Sequence, residues 1–173
     1  MGELKKLLTE LARKTGSTDG SPLGRVIDLI AKHFGVKSHE VAILGLTADE
    51  RYLRFLVPGS LRVVGQIPLS STNSLAVRTV RERRAEIINH FSVVRHASVF
   101  EGVPITEDVR QDPIQKIMSS PITLNNHIVG VVQISRKGKG VAEAGPDFTH
   151  PQLRELKTIA DALAPCILAL NRE

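Results

Sequence analysis

The residue with the most versatile chemistry in this sequence is Cys166, because a cysteine thiolate can serve as a nucleophile, a redox group or a metal ligand. It is the one cysteine among 173 residues, which excludes an internal disulfide and a metal site built from several thiolates. Reactive thiols need exposure and nearby positive charge, whereas Cys166 falls in an apolar stripe of a predicted helix. We therefore predict a buried structural thiol in a reducing, cytoplasmic setting.

The histidines have the spacing of neither a metal site nor a catalytic triad. They are His33, His39, His90, His96, His127 and His150. No two are four residues apart, and no H-x-E-C cluster is present. The sequence also shows no recognisable Ser/His/Asp arrangement or acidic dyad. It therefore indicates a binding or regulatory protein rather than an enzyme, and it identifies no cofactor.

A short arginine-rich run comprises Arg78, Arg81, Arg83 and Arg84, whose guanidinium groups could meet phosphate or carboxylate. Such a run is more often the solvated end of a helix, so we expect Arg81, Arg83 and Arg84 in solvent. The position of Arg78 is left open. A separate glycine-rich segment, 138–140, lacks the pattern of a phosphate-binding loop.

Composition restricts the class of protein. The formal net charge is +5, and the aromatic residues are five Phe, one Tyr and no Trp. Scarce aromatics disfavour binding to single-stranded nucleic acid, and dispersed basic residues permit an acidic partner without requiring one. No apolar run approaches the roughly 20 residues of a membrane span, and the length fits one domain.

Local signals predict two helices before the first strand. Residues 3–14 place leucines on one face, and Pro22 and Gly35 mark the start and the stop of a second helix. We accordingly expect an N-terminal helix and linker over residues 1–20 and a single domain over residues 21–173.

Strands and a short helix follow. Val41–Leu46 and Tyr52–Val57 are predicted to pair as antiparallel strands around a polar turn. A helix capped within residues 70–73 should end near Glu82, because continuing it would bring an arginine onto its apolar face. The next predicted strand is Glu86–Phe91.

An irregular connection with a helical turn at Ile114–Ile117 leads into a predicted hairpin. Its strands are Pro121–Leu124 and His127–Ser135, joined by Asn125-Asn126, a pair that tolerates the positive φ angles of a tight turn. The second strand is apolar at both parities until Gln133, so we expect it to be covered on both faces.

The last helix begins at the capping-box pair Thr149 and Gln152 and should run to about Asn171. One apolar stripe comprises Leu153, Leu156, Ala160, Leu163, Ile167 and Leu170. A second comprises Ile159, Ala162, Cys166 and Ala169. This is more apolar surface than packing on one sheet uses, so we predict a homodimer held through the terminal helices.

The order of elements predicts an α+β fold, with a central antiparallel sheet of about five to six strands flanked by N- and C-terminal helices. Four segments carry a family resemblance: Tyr52-Leu53-Arg54-Phe55-Leu56-Val57-Pro58; Ile67-Pro68-Leu69-Ser70 with Ser74-Leu75-Ala76; Ser120-Pro121-Ile122 with Ile128-Val129-Gly130-Val131-Val132; and Phe148-Thr149 with Leu153 and Leu156. In this order they resemble the GAF domains, small sensory modules related to PAS domains, over residues 22–170.

The resemblance allows three specific activities to be weighed. GAF domains that bind cyclic nucleotides carry Asn-Lys after the hairpin and acidic residues after the Phe, where this chain has Ser135-Arg136-Lys137 and Thr149-His150-Pro151-Gln152. Cyclic-nucleotide binding is therefore disfavoured. Reduction of methionine sulfoxide in this fold needs several cysteines near the pocket, and this chain has one. His90 or His96 could ligate haem iron or contact a ligand, although surface histidines are the default.

The resemblance also implies a pocket between the central strands and segments 70–78 and 91–117. Its polar candidates are Ser70, Ser71, Asn73, Ser74, Arg78, Arg95 and His96, with Met118 and Ile134 as apolar wall. Two arginines favour an anionic ligand. The expected function is a non-catalytic sensory domain that binds an unidentified small molecule and signals through its terminal helices to a separate output protein. The alternative is a ligand-free scaffold for dimerisation or protein interaction.

Overall fold

The structure, a computed structural model, describes residues 6, 22–57, 65–72, 74–91 and 113–171. The helices are α1 (Pro22–Phe34), α2 (Leu75–Glu82), α3 (Val141–Ala144) and α4 (His150–Asn171). The strands are β1 (Val41–Leu46), β2 (Tyr52–Val57), β3 (Gln66–Pro68), β4 (Glu86–Ile88), β5 (Ile114–Leu124) and β6 (His127–Lys137). Of the predicted helix over residues 3–14, only Lys6 is described, and it is helical.

The strands form one antiparallel sheet in the order β3-β2-β1-β6-β5-β4. At its centre, β5 and β6 make a long hairpin whose turn residues Asn125 and Asn126 have φ values of 51° and 68°. Two consecutive positive φ angles give the turn the twist that a two-residue hairpin needs. The predicted α+β class and hairpin are both confirmed.

Both faces of β6 are covered, as predicted, because residues 128–136 are all buried. On one face, Val132 and Ile134 pack in a core with residues of α1 and α4. On the other face, Val131 packs with Ala76 and Val77 of α2. The hairpin therefore lies between α2 and the two longer helices.

Two of the four residues in the second apolar stripe of α4 are buried within one chain. Ile159 and Cys166 are 0% and 6% exposed in the same core as the first stripe. The helix α1 runs close by, since His33 Nε2 lies 2.7 Å from Glu155 Oε2 of α4. Ile159 and Cys166 therefore need no second copy to be buried, and the homodimer stays a prediction.

Several predicted boundaries are confirmed. The helix α1 stops before Gly35, whose φ of 67° favours glycine. The helix α2 ends at Glu82, followed by Arg83 in the left-handed conformation. At the start of α4, Thr149 N donates to Gln152 Oε1 at 2.9 Å and Gln152 N donates to Thr149 Oγ1 at 3.3 Å, the reciprocal bonds of a capping box.

Three local predictions are wrong. Residues 114–117 begin β5 instead of forming a helical turn, because they pair with β6 across a bulge after Ile114. The strand β4 ends at Ile88 instead of Phe91. The N-cap of α2 is Ser74, just beyond the predicted 70–73, and its hydroxyl accepts from Val77 N at 3.2 Å.

Candidate functional site

The helix α2 presents a polar face beside an open cleft. Ala76 and Val77 pack against the sheet and Leu75 and Thr79 are also buried, whereas Arg78 is half-buried and Arg81 and Glu82 are exposed. The cleft has a volume of about 330 Å³ and is lined by Ser71, Thr72, Ser74, Arg78, Arg81 and Glu82. We call it the α2 cleft. Polar side chains here surround a space that suits a small molecule at the lower end of ligand-pocket sizes.

The structure brings together three of the predicted site residues, Ser71, Ser74 and Arg78. Ser70 is exposed in the turn after β3 and is not among the lining residues. The predicted residues Asn73, Arg95 and His96 lie outside the described residues.

The predicted apolar wall is corrected. Met118 and Ile134 are fully buried and pack with α1 and α4, on the face of the sheet away from α2. The neighbouring residue Val131 faces α2 instead. When both the odd and the even positions of a strand are apolar, the sequence does not indicate which set faces α2 and which set faces the opposite side of the sheet. The prediction that Ile134 faces the α2 side is therefore wrong.

Arg78 has a partner that the sequence did not indicate. Its Nε and Nη2 donate to the two carboxylate oxygens of Glu86, each at 2.9 Å, in a two-pronged ion pair. The Arg78 side chain is 39% exposed, so the pair mainly fixes its direction. Because Glu86 compensates the charge of Arg78, only one of the two arginines on which the prediction of an anionic ligand rests, Arg95, still supports it.

The remaining charges at the α2 cleft differ in exposure and pairing. Arg81 is exposed and forms no ion pair within the described residues. Glu82 accepts from Arg84 Nε at 3.0 Å. The cleft thus offers hydroxyl groups, the ion-paired guanidinium of Arg78, the guanidinium of Arg81, which has no ion pair among the described residues, and the Glu82 carboxylate, which is paired with Arg84.

A buried polar layer, absent from the sequence prediction, lies beneath α2. Thr79 Oγ1 and Ser119 Oγ are 2.7 Å apart, and Gln133 Nε2 donates to Ser119 Oγ at 3.3 Å. All three residues are at most 4% exposed. Polar residues within otherwise apolar strands are the sequence signal for this layer, and Gln133 is the polar residue that interrupts the apolar pattern of β6.

Arg136 and Lys137 are the last residues of β6, at the positions compared above with the Asn-Lys pair of GAF domains that bind cyclic nucleotides, and here they make structural contacts. Arg136 donates to Phe34 O and Gly35 O at 3.2 and 3.3 Å, and its guanidinium carbon lies 4.7 Å from the centre of the Phe148 ring. Lys137 Nζ donates to His39 O at 3.3 Å. Burial lowers the pKa of Lys137, while Glu40 opposes that shift. These two cations therefore support the end of α1 and the 3-10 turn, Ser38–Glu40.

The predicted buried thiol is confirmed, because Cys166 is 6% exposed and burial raises the pKa of its thiol. His33 pairs with Glu155, whereas His39, His90, His127 and His150 are exposed. Within the described ranges, no group of three His, Cys, Asp or Glu residues could hold a metal ion. None of the helices in the described part of the chain has the length and apolar character to cross a membrane.

No family model matches the sequence, and no match is found among curated proteins. Solved structures do match. The GAF domain of an Acinetobacter phosphoenolpyruvate-protein phosphotransferase has a TM-score of 0.69 at 13% identity, over 96% of this chain and 93% of that chain. The GAF domain of a phosphoenolpyruvate-protein phosphotransferase from Coxiella burnetii has a TM-score of 0.67 at 10% identity, over 98% and 95% of the two chains.

A further match is the free methionine-R-sulfoxide reductase from Neisseria meningitidis, solved with its substrate. Its TM-score is 0.63 at 10% identity, over 98% of this chain and 90% of that chain. These likenesses confirm that the chain has a GAF-like fold. Because the fold occurs both in domains of larger proteins and in an enzyme, function must be argued from the site.

Proposed function

We propose that this chain is a non-catalytic regulatory domain whose α2 cleft binds a small polar molecule, and that binding changes the placement of the terminal helices. The observation that carries the proposal is the convergence of Ser71, Ser74 and Arg78 on one open cleft beside α2. That helix is hydrogen-bonded directly to the central hairpin through Thr79 and Ser119.

The hairpin offers a continuous connection from the cleft to α4. Ser119 bonds to α2, and its neighbour in sequence, Met118, packs in the core with α4. A displacement of α2 therefore acts on a strand whose other face contacts the terminal helix. A ligand that prefers one position of α2 would shift the population by its differential affinity for that position.

The charges at the cleft favour one class of ligand. Glu86 neutralises Arg78, so Arg81 is the cation of the cleft that lacks an ion pair in the part of the chain that the structure describes. Serine hydroxyls both donate and accept hydrogen bonds. These groups favour a small molecule with hydroxyl, amide or amino groups and a single anionic group, in place of a highly charged anion.

The state of Cys166 supports a non-catalytic assignment. Thiol-dependent reduction of a sulfoxide leaves an oxidised cysteine that a second thiol must resolve. This chain has one cysteine, and burial keeps it in the thiol form by raising its pKa. The single buried thiol therefore fits a binding role better than a reductase activity like that of the Neisseria protein.

A thermal-shift screen with amino acids, 2-oxo acids, nucleotides and haem tests the proposal. A compound at one hundred times its Kd should stabilise the protein by about 2.7 kcal/mol. Arg81→Gln should weaken the response without altering the unliganded midpoint, whereas Arg25→Gln, an exposed arginine of α1, should leave the response unchanged. The proposal is rejected if no compound binds or if binding is indifferent to Arg81.

The second candidate function is a ligand-free scaffold that dimerises or docks a protein partner. It is favoured by the buried layer under α2, whose polar groups already satisfy one another. On α4, Ala162 is half-buried and Ala169 exposed, which leaves small residues to face a second helix. A scaffold would show no stabilisation by any compound in the thermal-shift screen and would still self-associate.

Light scattering at tens of micromolar would test the proposed homodimer directly. Leu163 is fully buried within one chain, so its substitution would report on folding. The double variant Ala162→Glu and Ala169→Glu is therefore the better test, and it should be a folded monomer. A monomeric parent protein would refute the dimer.

A further inference from the structure

A second groove, separate from the α2 cleft, lies between the segment after α2 and the first turns of α4. We call it the α4 groove. Its floor is the edge of β5 at Ser120, Pro121 and Thr123, and its volume is about 360 Å³. The strand β4 pairs with β5 only as far as Ser119, so no described strand covers this edge beyond that residue.

Cations line both walls of the α4 groove. Arg83 and Arg84 lie on one wall, and Arg154 and Lys157 lie on the other. All four are exposed, and the lining in the described part of the chain includes one carboxylate, that of Asp161. Two segments distant in sequence therefore bring positive charge to one concave surface.

The cations of the two walls differ in their hydrogen-bond and ion-pair partners. The Arg83 guanidinium donates to a carbonyl of the hairpin turn, and Arg84 is paired with Glu82. Arg154 and Lys157 form no ion pair in the ranges that the structure describes. They lie three residues apart, where like charges repel one another, and α4 has no acidic residue in its first turn. An anion in the groove would relieve this repulsion.

We propose that the α4 groove binds a small molecule that carries two or more phosphate groups. Planar guanidinium groups match phosphate oxygens in pairs, and three of the four cations are arginines. Arg84 is compensated by Glu82, but Arg83 on one wall and Arg154 and Lys157 on the other form no ion pair within the described residues, and cations on facing walls favour a ligand with more than one anionic group. The volume falls near the lower limit of small-ligand pockets, which suits one compact anion. This site shares no residue with the α2 cleft.

Calorimetric titration with inorganic pyrophosphate at constant ionic strength tests the proposal. The full chain should bind it saturably, and the double variant Arg154→Gln and Lys157→Gln should bind at least about tenfold more weakly. The matched control is Arg25→Gln with Lys32→Gln, two exposed cations of α1 that make the same change in net charge. Asp161→Asn should strengthen binding by about threefold.

Three results would overturn the assignment. Absence of saturable binding would remove the site. Equal weakening by the control pair would show that the protein's net charge attracts pyrophosphate without a defined site. Tighter binding of a poly-glutamate peptide than of pyrophosphate, lost in the Arg154/Lys157 variant, would reassign the groove to an acidic protein segment. Binding that depends on the groove residues and prefers pyrophosphate would support the proposal.

Discussion

Thr79 of α2 and Ser119 of β5 share a buried hydrogen bond of 2.7 Å whose direction follows from their other partners. The Thr79 hydroxyl donates its one proton to Leu75 O at 2.9 Å, so it must accept from Ser119. Ser119 in turn accepts from Gln133 Nε2 at 3.3 Å. The resulting chain runs from β6 through β5 to α2, and each bond in it polarises the next.

Thr79→Val should remove the link between α2 and the hairpin while preserving side-chain shape. Ser119 would lose its acceptor in a dry environment, so we expect a loss of about 1 to 2 kcal/mol in the free energy of unfolding. Thr158→Val is the matched control, because Thr158 also donates to a carbonyl four residues earlier, at 3.1 Å, but is exposed. Urea unfolding of both variants measures the difference, and equal losses would show that the buried chain contributes nothing.

Gly45→Ala should loosen the last turn of α4. A Cβ at Gly45 would overlap Asn171 Oδ1. Asn171 Nδ2 donates to Val129 O at 2.9 Å, and Arg54 Nη2 donates to Leu170 O at 2.8 Å, so these side chains fasten the helix end to the sheet. Displacing Asn171 should cost about 1 to 3 kcal/mol.

Hydrogen exchange of residues 167–171 measures this loosening. Exchange should accelerate in Gly45→Ala and remain unchanged in Gly140→Ala, since a Cβ at Gly140 meets nothing within 4 Å. Unchanged protection in Gly45→Ala would mean that the anchor tolerates displacement.

Acid should weaken the contact between Lys116 and Asp147. Lys116 is 4% exposed at its side chain, and its Nζ lies 2.7 Å from Asp147 Oδ1. The hydrogen bond from Lys116 lowers the pKa of Asp147. A lowered carboxyl pKa contributes stability that is fully present above the unfolded value of about 3.9 and is lost as the pH falls through the folded value.

The variant Asp147→Asn should therefore be less stable than the parent at neutral pH, and the difference should shrink in acid. Unfolding free energies measured from neutral pH to below about pH 4 test this, with Asp161→Asn as a control whose carboxylate makes no ion pair in the described residues. A difference independent of pH would assign the effect to packing alone.

Cys166 should resist thiol reagents in the native protein. Its thiol is buried and its pKa is raised, so little thiolate is present at neutral pH. Labelling should require unfolding, and Cys166→Ser should reduce stability by about 1 to 2 kcal/mol through the buried hydroxyl. Rapid labelling under native conditions would contradict the structural role and reopen the question of catalysis.

Elements with strong local signals were predictable from sequence. Asn125-Asn126 forms the hairpin turn, Pro22 and Gly35 mark the ends of α1, and Thr149 caps α4. Each of these features depends on residues that are close together in the chain, so the local sequence is enough to predict it. The burial of β6 on both faces was also evident, since its apolar residues occupy both parities.

Features that depend on tertiary pairing were not predictable. Ile114 and Ile117 have a spacing that fits a helical turn and a bulged strand equally well, and pairing with β6 decides between them. The partner of Arg78 depends on the chain reversal at Arg83, which brings Glu86 alongside α2. For the same reason, sequence could indicate cations near α2 but not that one of them is neutralised.

An NMR titration tests the central claim most directly. The best compound from the thermal-shift screen would be added to the isotope-labelled protein and, in parallel, to Thr79→Val. We expect the compound to shift amide resonances of residues 71–82 in both proteins, and those of α4 in the parent only. A compound that binds away from residues 71–82, or shifts in α4 that persist in Thr79→Val, would contradict the proposed route from the α2 cleft to the terminal helix.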